Sequence, residues 1–294
     1  MAIRARHATL AGDGSAEERV TETERVPPGI DPTTPSPARL YDYYLGGSDN
    51  FPADREAAET IRARMPELAD AAWANRGFHQ RAAVWMAASR GIGQFIDIGS
   101  GLPTQNNTHQ AVQKVAPDAR VVYVDHDPLV RVHANALLTG EGSTRVVTAD
   151  LRDPDGVLSH PQTRELIDFG RPVGLLMTAV VHFVADGSDP QGLVARYMAA
   201  LAPGSYLALS HVTADQKPPA AVRAILDIYA GATEQIYMRT RAEVEWFFAG
   251  LELVPPYEGA PAAVTYVGEW GAEDPALADS DGSRWCYGAV ARRP

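Results

Sequence analysis

Sulfur chemistry is nearly absent from this chain. Cys286 is the only cysteine, which excludes an intramolecular disulfide and a cysteine-based metal cluster. No apolar run reaches the length of about 18 residues that a transmembrane helix needs. The arginines within Met1–Leu10 are not followed by an apolar core, so a secretory signal is not expected and a cytoplasmic location is. Lysine is scarce as well: Lys114 and Lys217 are the only two, and every other cation is arginine. With a net charge of −11, that argues against a broad nucleic-acid or anionic-membrane surface. What is present is ordinary for a soluble globular chain. Hydrophobic residues make up 45% and charged residues 21% of 294 residues, enough for a sizeable core.

The chain is organised around Gln94–Thr104. Phe95, Ile96 and Ile98 form the apolar run of a buried parallel strand, and Gly99 and Gly101 turn the backbone sharply into a helix. Residues 1–37 are polar and proline-rich and read as a flexible extension. Residues 38–93 read as a helical cover or lid, opening with Arg39-Leu40-Tyr41-Asp42-Tyr43-Tyr44-Leu45-Gly46-Gly47 and continuing through Asn50-Phe51. There Trp73, Phe78 and Trp85 are expected to pack in the core or between domains. Further strands are expected at Arg120–Asp125, Arg145–Asp150, Pro172–Val181 and Tyr206–His211, with helices between them. Two late strands follow at Leu251–Val254 and Trp285–Ala291. The alternation predicts an α/β fold with a doubly wound, mostly parallel seven-stranded sheet over 94–294, helices on both faces, and a helical insertion at about 213–250.

In such a sheet the ligand lies outside the carboxyl ends of the strands. Asp97 with the glycine turn, Asp125, Asp150, His182 and His211 all fall at expected strand ends. Asp125 can accept hydrogen bonds from both ribose hydroxyls. Asp127, standing before Pro128, reads as a helix N-cap. Asp150 can accept from an exocyclic amine such as that of adenine, or else close a turn with Arg152-Asp153-Pro154. His126 is expected near the adenine or in solvent. The third glycine of a nicotinamide fingerprint is missing, because Leu102-Pro103-Thr104 follows Gly99-Ser100-Gly101. No phosphate-loop Gly-Lys-Ser/Thr occurs either. These residues fit a nucleoside without phosphates that carries an amino acid tail.

Asp97-Ile98-Gly99-Ser100-Gly101, Val124-Asp125 and Ala149-Asp150-Leu151 resemble the successive cofactor motifs of class I S-adenosylmethionine-dependent methyltransferases, whose sheet is Rossmann-like. Ala38 through Gly47, Asp97 through Thr104, Val121 through Pro128 and Val181-His182-Phe183 resemble, more narrowly, an actinobacterial family of such enzymes once catalogued as a domain of unknown function. The resemblance spans roughly 37–293. It implies S-adenosylmethionine as cofactor, with Gly99, Ser100 and Gly101 along its methionine part and Asp97 at the loop or the ammonium. It further implies Asp125 at the ribose, Asp150 and Leu151 at the adenine, and Tyr41, Tyr44, Asn50 and Phe51 closing over it. No metal is implied. His182 is the candidate base; plant-type O-methyltransferases carry a similar Leu-His pair, and pocket wall is its competing role. No Asn-Pro-Pro-Tyr motif of amide or exocyclic-amine methylation follows the fourth strand. The expected partner is therefore a small-molecule acceptor, with no nucleic acid, no membrane, and oligomer formation left open. Two other functions stand beside methyl transfer: a cofactor-binding regulatory protein, and an NAD-dependent oxidoreductase disfavoured by the missing glycine.

Overall fold

In the computed structural model, residues 26–27, 29–103, 106–138 and 142–294 are described. Most of the extension expected over 1–37 lies outside them, as does Thr104. Three helices come first: α1 (Pro37–Tyr44), α2 (Pro52–Arg62) and α3 (Leu68–Arg90). The alternating part follows as β1 (Gln94–Ile98), α4 (Thr108–Val112), β2 (Arg120–Asp125), α5 (Pro128–Leu138), β3 (Thr144–Thr148), α6 (Pro154–Ser159), α7 (Pro161–Leu166), β4 (Gly174–Thr178), α8 (Pro190–Ala200) and β5 (Tyr206–Val212). After α9 (Pro219–Ala230) and α10 (Arg241–Glu245) come β6 (Glu252–Leu253), β7 (Thr265–Tyr266), α11 (Pro275–Ala278) and β8 (Cys286–Arg292).

The strands form one sheet in the order β3-β2-β1-β4-β5-β8-β6, with β7 pairing β8 beside that path. The first five strands are mutually parallel and β8 runs antiparallel to β5. This is the expected Rossmann-like, doubly wound sheet, extended from seven strands to eight by the two-residue β7. Every residue of β1 is buried, as a central parallel strand requires. Its neighbours divide by parity. Ile96 and Ile98 face a core shared with Val157, Leu193 and Tyr197, whereas Phe95 faces one shared with Phe78, Ala82 and Met86 of α3.

A third apolar cluster holds the helical cover in place. Leu40, Ile61, Met65 and Leu68 pack against Ile225 and Tyr229 of α9 and against Trp285. Of the three aromatic residues expected inside, Phe78 is buried and Trp85 meets Tyr206 and Trp270 edge-on, but Trp73 is exposed. The described end of the presumed extension is not loose. Ile30 packs with Leu102, Leu129 and Val130, Thr233 N donates to Pro35 O, and the buried Arg39–Asp54 ion pair (2.7 Å) closes the corner. Asp54 also accepts from the Ser36 and Phe51 amides, and Arg39 donates to Asp31 O and Thr34 O. Proline content suggested a linker, and Asp31, Thr34 and Pro35 are nonetheless bonded to Arg39 and Thr233.

The chain runs outward through β1, β2 and β3, then returns to β4 on the other side of β1. A crevice is left open at the carboxyl ends of β1 and β4, which is where such folds hold ligands.

Candidate functional site

One cavity occupies that crevice. It runs from the turn after β1, past the ends of β2, β3 and β4, into the cluster made by the helical cover and α9. The turn is shaped by its glycines. Gly99 (φ +67°) and Gly101 (φ +66°) both adopt the left-handed conformation. A Cβ on Gly99 would lie 2.2 Å from a Val180 methyl, while one on Gly101 would enter open space. The bare backbone at 101 therefore leaves room for a ligand against the cavity wall. Gly99 N and Ser100 N donate to Val124 O, tying the turn to β2.

Asp125 fastens the turn from the other side. Its Oδ2 accepts from Gly101 N and its Oδ1 from Asp127 N, each at 2.9 Å. Each carboxylate oxygen keeps acceptor capacity beyond that one bond. Burial raises its pKa. Asp127 caps α5 as expected, accepting from Leu129 N at 2.8 Å, and takes a second bond from Ser36 Oγ.

Asp97 is nearly fully buried at the end of β1, and desolvation lifts its pKa to about 6. Thr108 Oγ1 donates to its Oδ2 at 2.6 Å. His79 Nε2 stands 2.7 Å from Thr108 Oγ1, and His79 Nδ1 stands 2.8 Å from Thr178 Oγ1. Because the Thr108 proton goes to the carboxylate, Thr108 must accept from His79 Nε2–H. Nδ1 then accepts from Thr178, which fixes the tautomer. Burial depresses the His79 pKa to about 3, so this chain holds a neutral imidazole. Arg76, one turn before His79 on α3, lines the cavity beside it, and its Nε is buried with no hydrogen-bond partner. Together the Arg76 cation and the Asp97 carboxylate can meet the two charges of an amino acid tail.

The far half of the cavity is different in kind. Ile61, Met65, Leu68, Ile225, Tyr229 and Trp285 line it. His182 lines the cavity from a short 3-10 turn at Val181–Phe183 and not from the end of β4, which stops at Thr178. Its ring packs edge-on against Phe183 and His211, and its Nδ1 faces the Val212 amide at 3.5 Å. Burial, with His211 and Arg239 nearby, holds its pKa well below the usual histidine range. His211 does not line the cavity: it is buried within β5, donates from Nδ1 to Val212 O and accepts from Arg239 at Nε2. Arg239 also bonds Asp186, Val184 O and Val181 O, which pins the His182 turn to β5.

Of the residues expected at the site, Asp97, Gly99, Ser100, Gly101, Asp125, His126, Leu151, Tyr41, Tyr44 and His182 all line this cavity. Three do not. The Asp150 carboxylate accepts from Arg152 N and pairs with the Arg152 guanidinium at 3.2 Å, the bonds that the turn reading expects. Asn50 donates to Asp42 Oδ2 and Gly47 O, holding the loop at Gly46–Gly47 against α1. Gly47 is required there, since a Cβ would lie 2.0 Å from Asp42 Oδ1. Phe51 packs with Leu102 and Leu129 and under the Arg39 guanidinium, which stabilises the buried ion pair and leaves the ring outside the cavity. Residues that sequence reasoning passed over include Arg76, His79, Thr108, Arg239 and Glu234. Glu234 pairs with His126 at 3.2 Å and with Arg152, joining the segment after α9 to the loops after β2 and β3. A signal existed only on α3, where Asn75, Arg76 and His79 put polar groups on one face of a helix otherwise read as packing.

Among the described residues no group of three or more His, Cys, Asp or Glu side chains is placed to hold a metal ion. No helix among them is long and apolar enough to cross a membrane.

Residues 23–294 match the model of a family described as S-adenosyl methyltransferase. A candidate methyltransferase from Thermobifida fusca is 40% identical, with 91% of this chain and 98% of that one covered and a TM-score of 0.83. A DUF574 family protein from Streptomyces avermitilis is 42% identical over 89% of this chain and 98% of that one, with a TM-score of 0.81. An O-methyltransferase family protein from Burkholderia thailandensis, 13% identical over 81% of this chain and 61% of that one, shares the fold at a TM-score of 0.50. No curated protein matches the chain.

Proposed function

Because the chain belongs to the S-adenosyl methyltransferase family, we propose that it moves a methyl group from S-adenosylmethionine to a small-molecule acceptor. One observation carries the reading: a single cavity joins a polar end, built from the glycine turn, Asp97, Arg76 and Asp125, to an apolar end under the helical cover. The polar end fits the cofactor by its own chemistry. Gly101 leaves open space beside the backbone, Arg76 has an orphaned buried nitrogen, and Asp125 has unused acceptor capacity. In this reading Arg76 holds the carboxylate, Asp97 the ammonium, Asp125 the ribose hydroxyls, and Leu151 borders the adenine. The cofactor supplies a methyl group already activated by a sulfonium.

The chain's remaining task is alignment and exclusion of water. Tyr41, whose hydroxyl donates to Ala72 O and accepts from Asn75, lines the cavity. The His79–Thr108 chain holds Asp97 in one orientation. His182 acts as a neutral hydrogen-bonding wall and not as the base. A general base contributes about 10²–10⁴-fold, so His182→Gln should keep turnover within about tenfold, and the pH–rate profile should show no histidine limb near the ordinary pKa. Loss of more than that, with the acidic limb of the profile removed, would restore His182 as base.

Asp97 links cofactor binding to pH. Its folded pKa of about 6 lies above the ordinary 3.8, so the stability contributed by the protonated form is complete below about 3.8 and is lost as pH rises through about 6. That difference corresponds to roughly 3 kcal/mol of the unliganded protein's stability. Asp97→Asn should therefore be more stable than wild type at pH 7.5 and lose the advantage towards pH 4, as read by urea unfolding, while failing to bind cofactor. An Asn variant no more stable at pH 7.5 than at pH 4, relative to wild type, would show that the carboxylate is not strained by burial.

The overall reading is tested with tritium-labelled S-adenosylmethionine and a cell lysate split by size. Label should appear in the small-molecule fraction and vanish with Asp125→Ala. Label confined to protein or nucleic acid would overturn the acceptor class.

A further inference from the structure

The charges lining the cavity are segregated. Arg76, Asp97, Asp125, Asp127, Arg152 and Glu234 all belong to the end built by the strand-end loops and by the latch that joins them to the segment after α9. The other end has no charged side chain. Its lining comes from one apolar cluster, in which Ile61, Met65 and Leu68 face Ile225, Tyr229 and Trp285, with Phe183 packed against them. Two charged groups near that cluster are turned to other work. Glu67 accepts from Trp285 Nε1 at 2.8 Å, and Lys217 lies over the Trp285 and Tyr266 rings. Neither residue lines the cavity.

Burying an unpaired charge against such walls is strongly unfavourable, whereas rings of Tyr, Phe and Trp give large flat apolar contact. We infer that the acceptor is an uncharged, largely apolar ring compound, seated between the start of α3 and α9 with its reacting group toward His182. The inference rests on the methyl-transfer reading and narrows it. Amino acids, sugar phosphates and free carboxylic acids do not fit as acceptors, because no charged side chain lines that end. Polar groups that do reach it are neutral: the His182 imidazole, the Tyr44 and Tyr229 hydroxyls, whose pKa values burial pushes up, and the Cys286 thiol, pushed up to about 12. One hydroxyl or carbonyl on the acceptor can be satisfied there; a formal charge cannot.

The test uses equilibrium dialysis of the intact chain saturated with S-adenosylhomocysteine, against three probes of matched shape: 2-naphthol, 2-naphthoate and 2-naphthylmethylamine. The neutral probe should bind at least about tenfold tighter than either ion. A smaller preference, or no naphthol binding, overturns the acceptor class while leaving the cofactor reading intact. Failure of S-adenosylhomocysteine itself to bind overturns that reading, and the acceptor inference with it. The seat is tested by Ala71→Phe, which fills the apolar end from α3. It should weaken naphthol by at least about tenfold through lost volume while S-adenosylhomocysteine binding is unchanged. If that variant does not fold, Ile225→Phe fills the same space from α9 and carries the same expectation. Naphthol binding undiminished in a folded variant overturns the seat.

Discussion

Asp125→Ala should bind S-adenosylhomocysteine at least about a hundredfold more weakly than the wild type, because two charge-assisted bonds to ribose hydroxyls contribute roughly 1.5–3 kcal/mol each. The loss has a second source in this structure. Asp125 is also the strut of the glycine turn, accepting from Gly101 N and Asp127 N. Without it the turn loses the bond that holds Gly101 against the cavity. Asp127→Ala is the matched control. That residue caps α5 through Leu129 N and receives Ser36 Oγ, so its loss should cost about 1 kcal/mol of stability with little change in affinity. Calorimetric titration of both variants, beside urea unfolding, separates the two roles. Equal losses of affinity in the two would mean that Asp127 also holds the cofactor and that the capping assignment is incomplete.

The largest effect on stability should come from a residue outside the cavity. Asp54→Ala leaves the Arg39 guanidinium buried, at 3% exposure, without its carboxylate. It also strips the Ser36 and Phe51 amides of their acceptor. Breaking a buried pair from one side costs about 3–5 kcal/mol. Replacing both partners, as Arg39→Met with Asp54→Leu, should cost less than the sum of the single changes, since no charge is then stranded. The expected readout is the urea midpoint of each variant. A midpoint for Asp54→Ala within error of wild type would show that the corner at α1 and α2 does not secure the cover.

Much of this architecture is legible in the sequence, and the parts that are not have physical causes. The strand and glycine turn at Gln94–Gly101 and the acid closing β2 are local patterns, fixed by burial period and by glycine, and the structure reproduces them, although the next helix, α4, starts only at Thr108. Asp150 shows the limit. Its position near a strand end suggests a ligand, but β3 stops at Thr148 and the carboxylate turns back to Arg152, two residues on. Local backbone donors compete for short acidic side chains, and periodicity carries no record of that competition. Asn50 and Phe51 follow just after the Ala38–Gly47 stretch of the resemblance, yet they build the corner instead of the cavity. Their partners, Asp42 and Arg39, are near in sequence but face one another only after α1 has formed. His79 and Thr108 form a hydrogen-bond chain to Asp97 from two helices that only the fold brings together. Long-range juxtaposition of that kind leaves no trace in spacing.

The central claim concerns what the turn after β1 holds. Isothermal titration of the purified chain with S-adenosylmethionine, S-adenosylhomocysteine and NAD tests it most directly. The account predicts saturable binding of both sulfur compounds at one site per chain, absent in Asp97→Asn, and no response to NAD. Tight binding of NAD with no response to either sulfur compound would contradict it.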